Sequence, residues 1–312
     1  MKLTARDWTL LIVLSVLWGG SFFFVAIAVR EVPPLTVVLL RVSLAALLLF
    51  FWLRVRGEKL PTAIPVFLVM GLLNNVIPFS LLFWAQTTIA SGLASILNAT
   101  TPIFSMLIAH ALLADEPMQT NRLAGVLLGL LGVAVLIGGN ALQGMDISTL
   151  GMLACLAAAF SYGLASVYGR RFKAMQINPT AGAFGQLAAS SLIMMPVVIF
   201  IDRPWTLPAP GFAAVISIIA LATVSTALAY LIYFRLLAAC GAVNVALVTL
   251  LIPLSAVLLG IVFLGEQPEP KHIAGMALIA CGLLAVDGRL CKSLLRKKTV
   301  FKPGSTPRRA QK

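Results

Sequence analysis

Ten stretches of this chain, at 8–29, 33–53, 64–85, 89–113, 121–138, 149–169, 178–201, 211–236, 242–264 and 272–287, are almost wholly apolar. Most are near the roughly 20 residues that a helix needs to cross the hydrocarbon of a bilayer. In hydrocarbon every backbone N–H and C=O must find a partner within the protein, so each stretch is predicted to be an α-helix. Little sequence remains for a soluble domain, and charged residues make up only 11% of the chain, against about 25% in soluble domains. The expected fold class is an all-α polytopic membrane protein with ten transmembrane helices.

Lys2 and Arg6 ahead of the first stretch resemble a secretory leader, and Ala26-Ile27-Ala28 offers a small-x-small site. The apolar run is longer than an ordinary leader's, and the bulky Phe22–Phe24 stand just before that site, so it is read as a retained first helix. A net charge of +13 invites a nucleic-acid partner, but its distribution points to the membrane instead. With the N-terminus inside, the inner segments hold Lys2, Arg6, Arg54, Arg56, Lys59, Arg122, Arg170, Arg171, Lys173, Arg235 and nine more from Arg289 onward. The outer segments hold Arg30, Arg203 and Lys271. The positive-inside rule therefore predicts a multi-pass membrane protein with cytoplasmic N- and C-termini. Residues 289–312 read as a basic cytoplasmic tail beside anionic lipid. The four cysteines lack paired spacing, so neither a disulfide framework nor a metal site is expected.

The chain echoes itself. GLLNNVIPFSLLFWAQTTIASG from Gly71 aligns without gaps to ALATVSTALAYLIYFRLLAACG from Ala220, matching Trp84 with Tyr233 and Gly92 with Gly241. Further on, PIFSMLIAHALLADEP and PLSAVLLGIVFLGEQP match Pro102 with Pro253, and WGGSFFFVA faces YGLASVYGR. A duplication follows, with residues 1–144 as one five-helix repeat and 145–288 as the second. An odd number of spans per repeat makes the second enter from the opposite side. Such inverted repeats, with substrate held near the midplane between them, are a recurring plan of secondary transporters.

The Trp-Gly-small-small stretch of the first span, Arg41 in the second, and the Pro-to-Glu segments ending at Glu116 and Glu266 are similar to the drug/metabolite transporter superfamily. Each of those segments leads into a Gly-headed helix, AGVLLGLLGVAVL or AGMALIACGLLAV, which resembles its EamA-like branch. The resemblance implies a ten-helix inner-membrane carrier, commonly an exporter of amino acids or other small metabolites.

Polar residues inside spans are costly unless they line a cavity or pack against protein, and so they mark candidate pathways. Ser91, Ser95, Asn98 and Ser105 fall on one face of the fourth span, with Thr101 adjoining; Thr223, Thr226, Tyr230 and Tyr233 do so in the eighth. Asn75, Phe79 and Gln86 share a face of the third, where Pro78 should disturb the helix. The expected substrate-binding residues are Asn75, Phe79, Ser95, Asn98, Thr101, Tyr162, Tyr230 and Asn244. Helix–helix glue is the alternative reading for single hydroxyls. Arg41, the one cation well inside a span, is either a counter-ion for a substrate carboxylate or part of a gate, or else an arginine that snorkels outward or is fixed by helix-end carbonyls. Trp18, Gly19, Gly20, Pro78, Gly125 and Gly129 are expected in helix packing or hinges. Trp18 lies near the midplane, with Tyr162 as its echo, while the other four tryptophans sit at span ends.

All ten acidic residues lie in loops or at span ends, so an intramembrane proton relay is not expected. No G-x-x-x-x-G-K-[ST] stretch occurs, which leaves ATP-driven transport unsupported and calls for no cofactor. A membrane-embedded enzyme would need paired carboxylates, a His cluster or an activated nucleophile, and none stands at helical spacing. The reading is a secondary transporter for small metabolites, most simply amino acids, bulky or aromatic ones included given Phe79, Tyr162 and Tyr230. Nucleobases, amines, drugs and sugar derivatives stay open as substrates, and the sequence does not choose between monomer and homodimer.

Overall fold

The computed structural model describes residues 4–287 apart from 61, 117–118, 139–145 and 246. The basic tail and the boundary between the two halves lie outside the described residues. Among those described, all regular structure is helical. In chain order the helices are α1 (Ala5–Ala28), α2 (Pro34–Val55), α3 (Ile64–Ala85), α4 (Ser91–Leu112), α5 (Thr120–Ile137), α6 (Ile147–Tyr168), α7 (Pro179–Ile201), α8 (Phe212–Gly241), α9 (Val248–Leu264) and α10 (Pro270–Asp287). Eight of them are long and apolar enough to cross a membrane, and α9 and α10 are shorter apolar helices.

Local chemistry sets several of the starts. Thr4 and Asp7 form a reciprocal capping box at α1: the Asp7 N–H donates to Thr4 Oγ1 at 3.2 Å, and the Thr4 N–H donates to Asp7 Oδ2 at 2.9 Å. Asn178 caps α7, and its next residue, Pro179, has no N–H to leave unsatisfied. The α8 helix runs past the end predicted for it, and Gly241 ends it in a left-handed conformation with φ 78°. Arg235 lies within this helix, as the 211–236 stretch requires, and Cys240 is buried in the last turn of α8 instead of in a turn between spans.

The helices pack in a reciprocal pattern. α1 lies against α8 and α9, while α6 lies against α3 and α4; α2 packs on α7, and α5 packs on α10. Two close approaches belong to this pattern. A Cβ on Gly19 of α1 would come within 2.9 Å of the Ala256 nitrogen and the Ile252 oxygen of α9. A Cβ on Gly163 of α6 would come within 3.0 Å of the Ser105 nitrogen of α4. Gly20 differs from Gly19, since a Cβ there would make only ordinary contacts, at 3.7 and 3.8 Å.

The α5–α10 pair forms a separate seam of backbone on backbone. A Cβ on Gly132 would sit 2.9 Å from the Gly275 oxygen, and one on Gly282 would sit 2.9 Å from the Gly129 nitrogen. Gly125 likewise faces the Gly282 carbonyl. These glycines are used within the chain, the close-packing role that small residues serve in membranes.

Both α3 and α8 are interrupted near their middles by π-helical turns, Leu72–Val76 and Thr223–Leu228. A π-turn adds a residue and frees carbonyls from the α ladder. In α3 one freed group is met from a neighbouring helix, since Ser161 of α6 donates to the Leu73 oxygen at 2.7 Å; the Ser190 hydroxyl of α7, which donates to the Gln186 oxygen of its own helix at 2.6 Å, also stands 3.2 Å from the Gly71 oxygen. The α4 helix breaks between Asn98 and Thr101. One end of the bundle carries the N-terminus; the other, called here the distal face, carries the 29–33, 86–90 and 202–211 connections.

Candidate functional site

The two π-turns bring a polar cluster together inside an apolar bundle. Arg41 of α2 is only 6% exposed. Its Nε donates to Thr226 Oγ1 at 2.9 Å, and the Thr226 hydroxyl donates in turn to the Leu221 oxygen at 2.7 Å, across the π-turn of α8. The guanidinium carbon stands 4.1 Å from the ring centroid of Phe79 and 5.7 Å from that of Phe83. Tyr162 and Tyr230 lie within electrostatic reach of it. Asn74 Nδ2 donates to Gln186 Oε1 of α7 at 3.0 Å and approaches the Tyr230 hydroxyl at 3.5 Å.

Magnitudes show what this cluster lacks. A desolvated cation over an aromatic face gains about 2 kcal/mol, and one hydrogen bond from a charged donor adds about 1.5–3 kcal/mol. Taking a guanidinium out of water costs several kcal/mol even after relaxation. Among the described residues no carboxylate pairs with Arg41, and the ion pairs all lie at helix ends. The terminal nitrogens of Arg41 likewise make no hydrogen bond among the described residues. Among the described residues the cluster thus holds one cation, terminal guanidinium nitrogens without hydrogen bonds, and aromatic neighbours.

The expected site residues divide between cluster and packing. Phe79, Tyr162 and Tyr230 join Arg41. Asn75 faces α7 instead, fully buried, with Nδ2 donating to Ser190 Oγ at 3.0 Å. Ser95 returns its hydroxyl to the Gly92 oxygen and Thr101 to the Asn98 oxygen, both at 2.7 Å. Asn98 keeps a buried Oδ1 without a partner among the described residues. Asn244, beyond Gly241, donates to the Cys240 oxygen at 2.8 Å, away from the cluster. Trp18 packs on Tyr233 with ring centroids 5.5 Å apart. Pro78 lies in the first turn after the π-turn of α3.

Two residues of the cluster, Asn74 and Gln186, were not among the expected ones. The π-turn rotates α3 so that Asn74 looks toward Tyr230 and Asn75 toward Ser190. Gln186 carried a readable cue, an amide in the middle of an apolar span. Ser190→Ala is expected to cost about 1–3 kcal/mol, because Asn75 Nδ2 and the Gly71 carbonyl then lose a buried partner. Ser191→Ala, whose hydroxyl only returns to its own helix at Leu187, should stay within about 0.5 kcal/mol. Thermal unfolding in detergent distinguishes the two.

A cavity of about 310 Å³ lies apart from this cluster, at the distal face, lined by Ala26, Arg30, Gln86, Ser91, Leu264 and Glu266 among others. It opens outside the cluster, beyond the ends of α1, α3, α4 and α9.

Comparison with known proteins gives one concordant result. Residues 8–138 and 149–286 both match the EamA-like transporter family. The chain is 30% identical to the "Probable amino-acid metabolite efflux pump" of Salmonella typhimurium over 90% of its own length and 94% of that protein's. It is 29% identical to the "Uncharacterized inner membrane transporter YedA" of Escherichia coli over 94% of each chain. It is 27% identical to the "Uncharacterized transporter YoaV" of Bacillus subtilis, over 88% of this chain and 94% of the other. A solved crystal structure shares the fold with a TM-score of 0.65 at 20% identity, covering 94% of this chain and 99% of that one.

Proposed function

Because the chain belongs to the EamA-like transporter family, a family of membrane transporters and not of enzymes, we propose that it exports small carboxylate-bearing metabolites, amino acids foremost, across the cell's inner membrane. The observation that carries the reading is Arg41, a buried guanidinium that no carboxylate of the described chain neutralises. A substrate carboxylate supplies the missing charge and occupies the fork in a bidentate pair. Phe79 then floors the site, Tyr162 and Tyr230 wall it, and the Asn74–Gln186 pair is within reach for a substrate's amino or amide group. The efflux-pump name of the Salmonella relative and the inner-membrane name of the Escherichia relative support substrate class and location.

In this reading all ten helices cross, the termini are cytoplasmic, and residues 1–144 and 145–288 are inverted repeats that alternate access to the cluster. The exchange of partners, α1 on α9 against α6 on α4 and α1 on α8 against α6 on α3, supports that plan, as do the paired π-turns. The test is counterflow in proteoliposomes loaded with one compound and offered a labelled one. Amino acids are expected to exchange, and an amino-acid amide, which lacks the carboxylate, to exchange at least tenfold more slowly. Equal exchange of acid and amide, or exchange only of nucleobases or amines, would remove the carboxylate from the recognition.

A further inference from the structure

The two faces of the bundle treat their acidic residues differently. At the distal face, carboxylates reach across to the N-terminal ends of other helices, where free N–H groups and the helix dipole attract negative charge. Glu266, just past α9, accepts from the Ser91 and Gly92 N–H groups at the start of α4, at 2.7 and 3.0 Å. Asp202, at the end of α7, accepts from the Thr36 N–H and hydroxyl at the start of α2, at 2.8 and 2.6 Å. The Glu266 contact has a fitted seat. A Cβ on Gly92 would come within 3.3 Å of Glu266 Oε2, one on Gly260 would collide with the carboxyl group, and Gly265 holds φ 68° to turn the chain back.

The internal repeat places a counterpart for each carboxylate at the N-terminal face, and neither is engaged in that way. The register that matches Trp18 with Tyr162 carries Glu58 onto Asp202 and Thr36 onto Thr180. Thr180 is capped by Asn178 of its own segment, and Glu58 has one buried oxygen with no partner among the described residues. Glu116 and Glu266 end the matching Pro-to-Glu segments of the two halves, one residue off the register that pairs Gly92 with Gly241. Glu116 is instead held by Arg170 at 2.7 Å and Arg122 at 3.1 Å, and among the described residues nothing lies within 4 Å of where a Gly241 Cβ would be. Helix packing shows the same difference: α1 lies on α4, whereas α6 makes no comparable contact with α9.

We infer that these carboxylates are the bolts of the transport cycle. Glu266 on α4 and Asp202 on α2 hold the distal face shut in the state seen here. Glu116 on the start of α9 and Glu58 on the start of α7 take over when the N-terminal face shuts. Arg170 and Arg122 park Glu116 while it is disengaged. The inference rests on the alternating-access reading above and is independent of which substrate is carried.

The test measures the gate alone. In a chain with its four cysteines replaced, Asn98→Cys on α4 reports access from outside intact cells through a membrane-impermeant maleimide. Glu266→Ala or Asp202→Ala, by loosening the shut distal face, is expected to speed that labelling about tenfold, the effect of losing charged hydrogen bonds. Adding Glu116→Ala or Glu58→Ala to the Glu266→Ala chain should return the rate toward the starting value, since the competing state then loses its own bolt. Unchanged labelling in Glu266→Ala would overturn the inference. So would further acceleration by the second substitutions, which is what general loosening of the fold produces. Trp205→Cys, in the exposed 204–206 turn of the distal face, shows independently which side that face is on. A wrong topology is thereby told apart from a wrong gate.

Discussion

Arg41→Ala is expected to reach the membrane folded and to carry essentially nothing. The guanidinium is the cation of the buried cluster, and a charge-assisted pair with the carboxylate of the proposed substrate is worth about 1.5–3 kcal/mol. At 1.4 kcal/mol per tenfold, transport at limiting substrate falls roughly 10- to 100-fold from binding alone. Stability should move the other way. Removing a buried charge that has no ionic partner relieves a desolvation penalty, so thermal unfolding in detergent is expected to stay level or rise. A merely structural arginine would lose stability and transport together. Arg41→Lys keeps the charge but not the planar fork, and it should recover only part of the exchange.

Gly19→Leu is the second large effect, and it is structural. The residue's Cα lies where α1 presses on the α9 backbone, so any Cβ would come within 2.9 Å of main-chain atoms that have no rotamer to yield. Overpacking of this kind costs about 1–3 kcal/mol even when only side chains must move, and here a whole helix must. Loss of folded protein from the membrane is the expected outcome, read by size-exclusion profile after solubilisation. Gly20→Ala, one residue on, meets only ordinary contacts and should be silent within about 0.5 kcal/mol. Equal tolerance at both positions would contradict the α1–α9 packing.

That contrast bears on how far the amino-acid sequence could be read. Helix positions were legible because hydrocarbon demands long apolar runs with their hydrogen bonds made internally; each of α1 to α10 overlaps an expected stretch, and only the short helical turns at Arg170–Ala174 and Pro204–Thr206 fall outside. The one clear overrun is α8, which continues past the expected end at 236 to Gly241. Arg41 was legible as a lone cation among apolar neighbours, and Phe79, Tyr162 and Tyr230 as aromatics near the polar stripes, though not as its neighbours. The π-turns were not. No residue type marks them, and a constant period of 3.6 residues assigns Asn75 to the face that Asn74 occupies. The Asn74–Gln186 bond depends on that change of phase, and the Thr226 bridge on the π-turn of α8. Nor could the adjacent glycines be ranked, since which of them meets a neighbour's backbone is decided by a helix more than two hundred residues away.

The α5–α10 seam has a consequence for where such a chain can have come from. Its glycines bring two backbones together, and each half supplies only one of them. A lone five-helix half would leave that glycine stripe facing lipid, with no side chains to cover the main chain. On the inverted-repeat plan proposed above, its remedy would be a second copy inserted the other way up, fifth helix against fifth helix. Fusing two such oppositely oriented copies into one polypeptide turns a contact that depends on concentration into a permanent one. It also frees each stripe to drift apart in sequence while the backbones stay in touch.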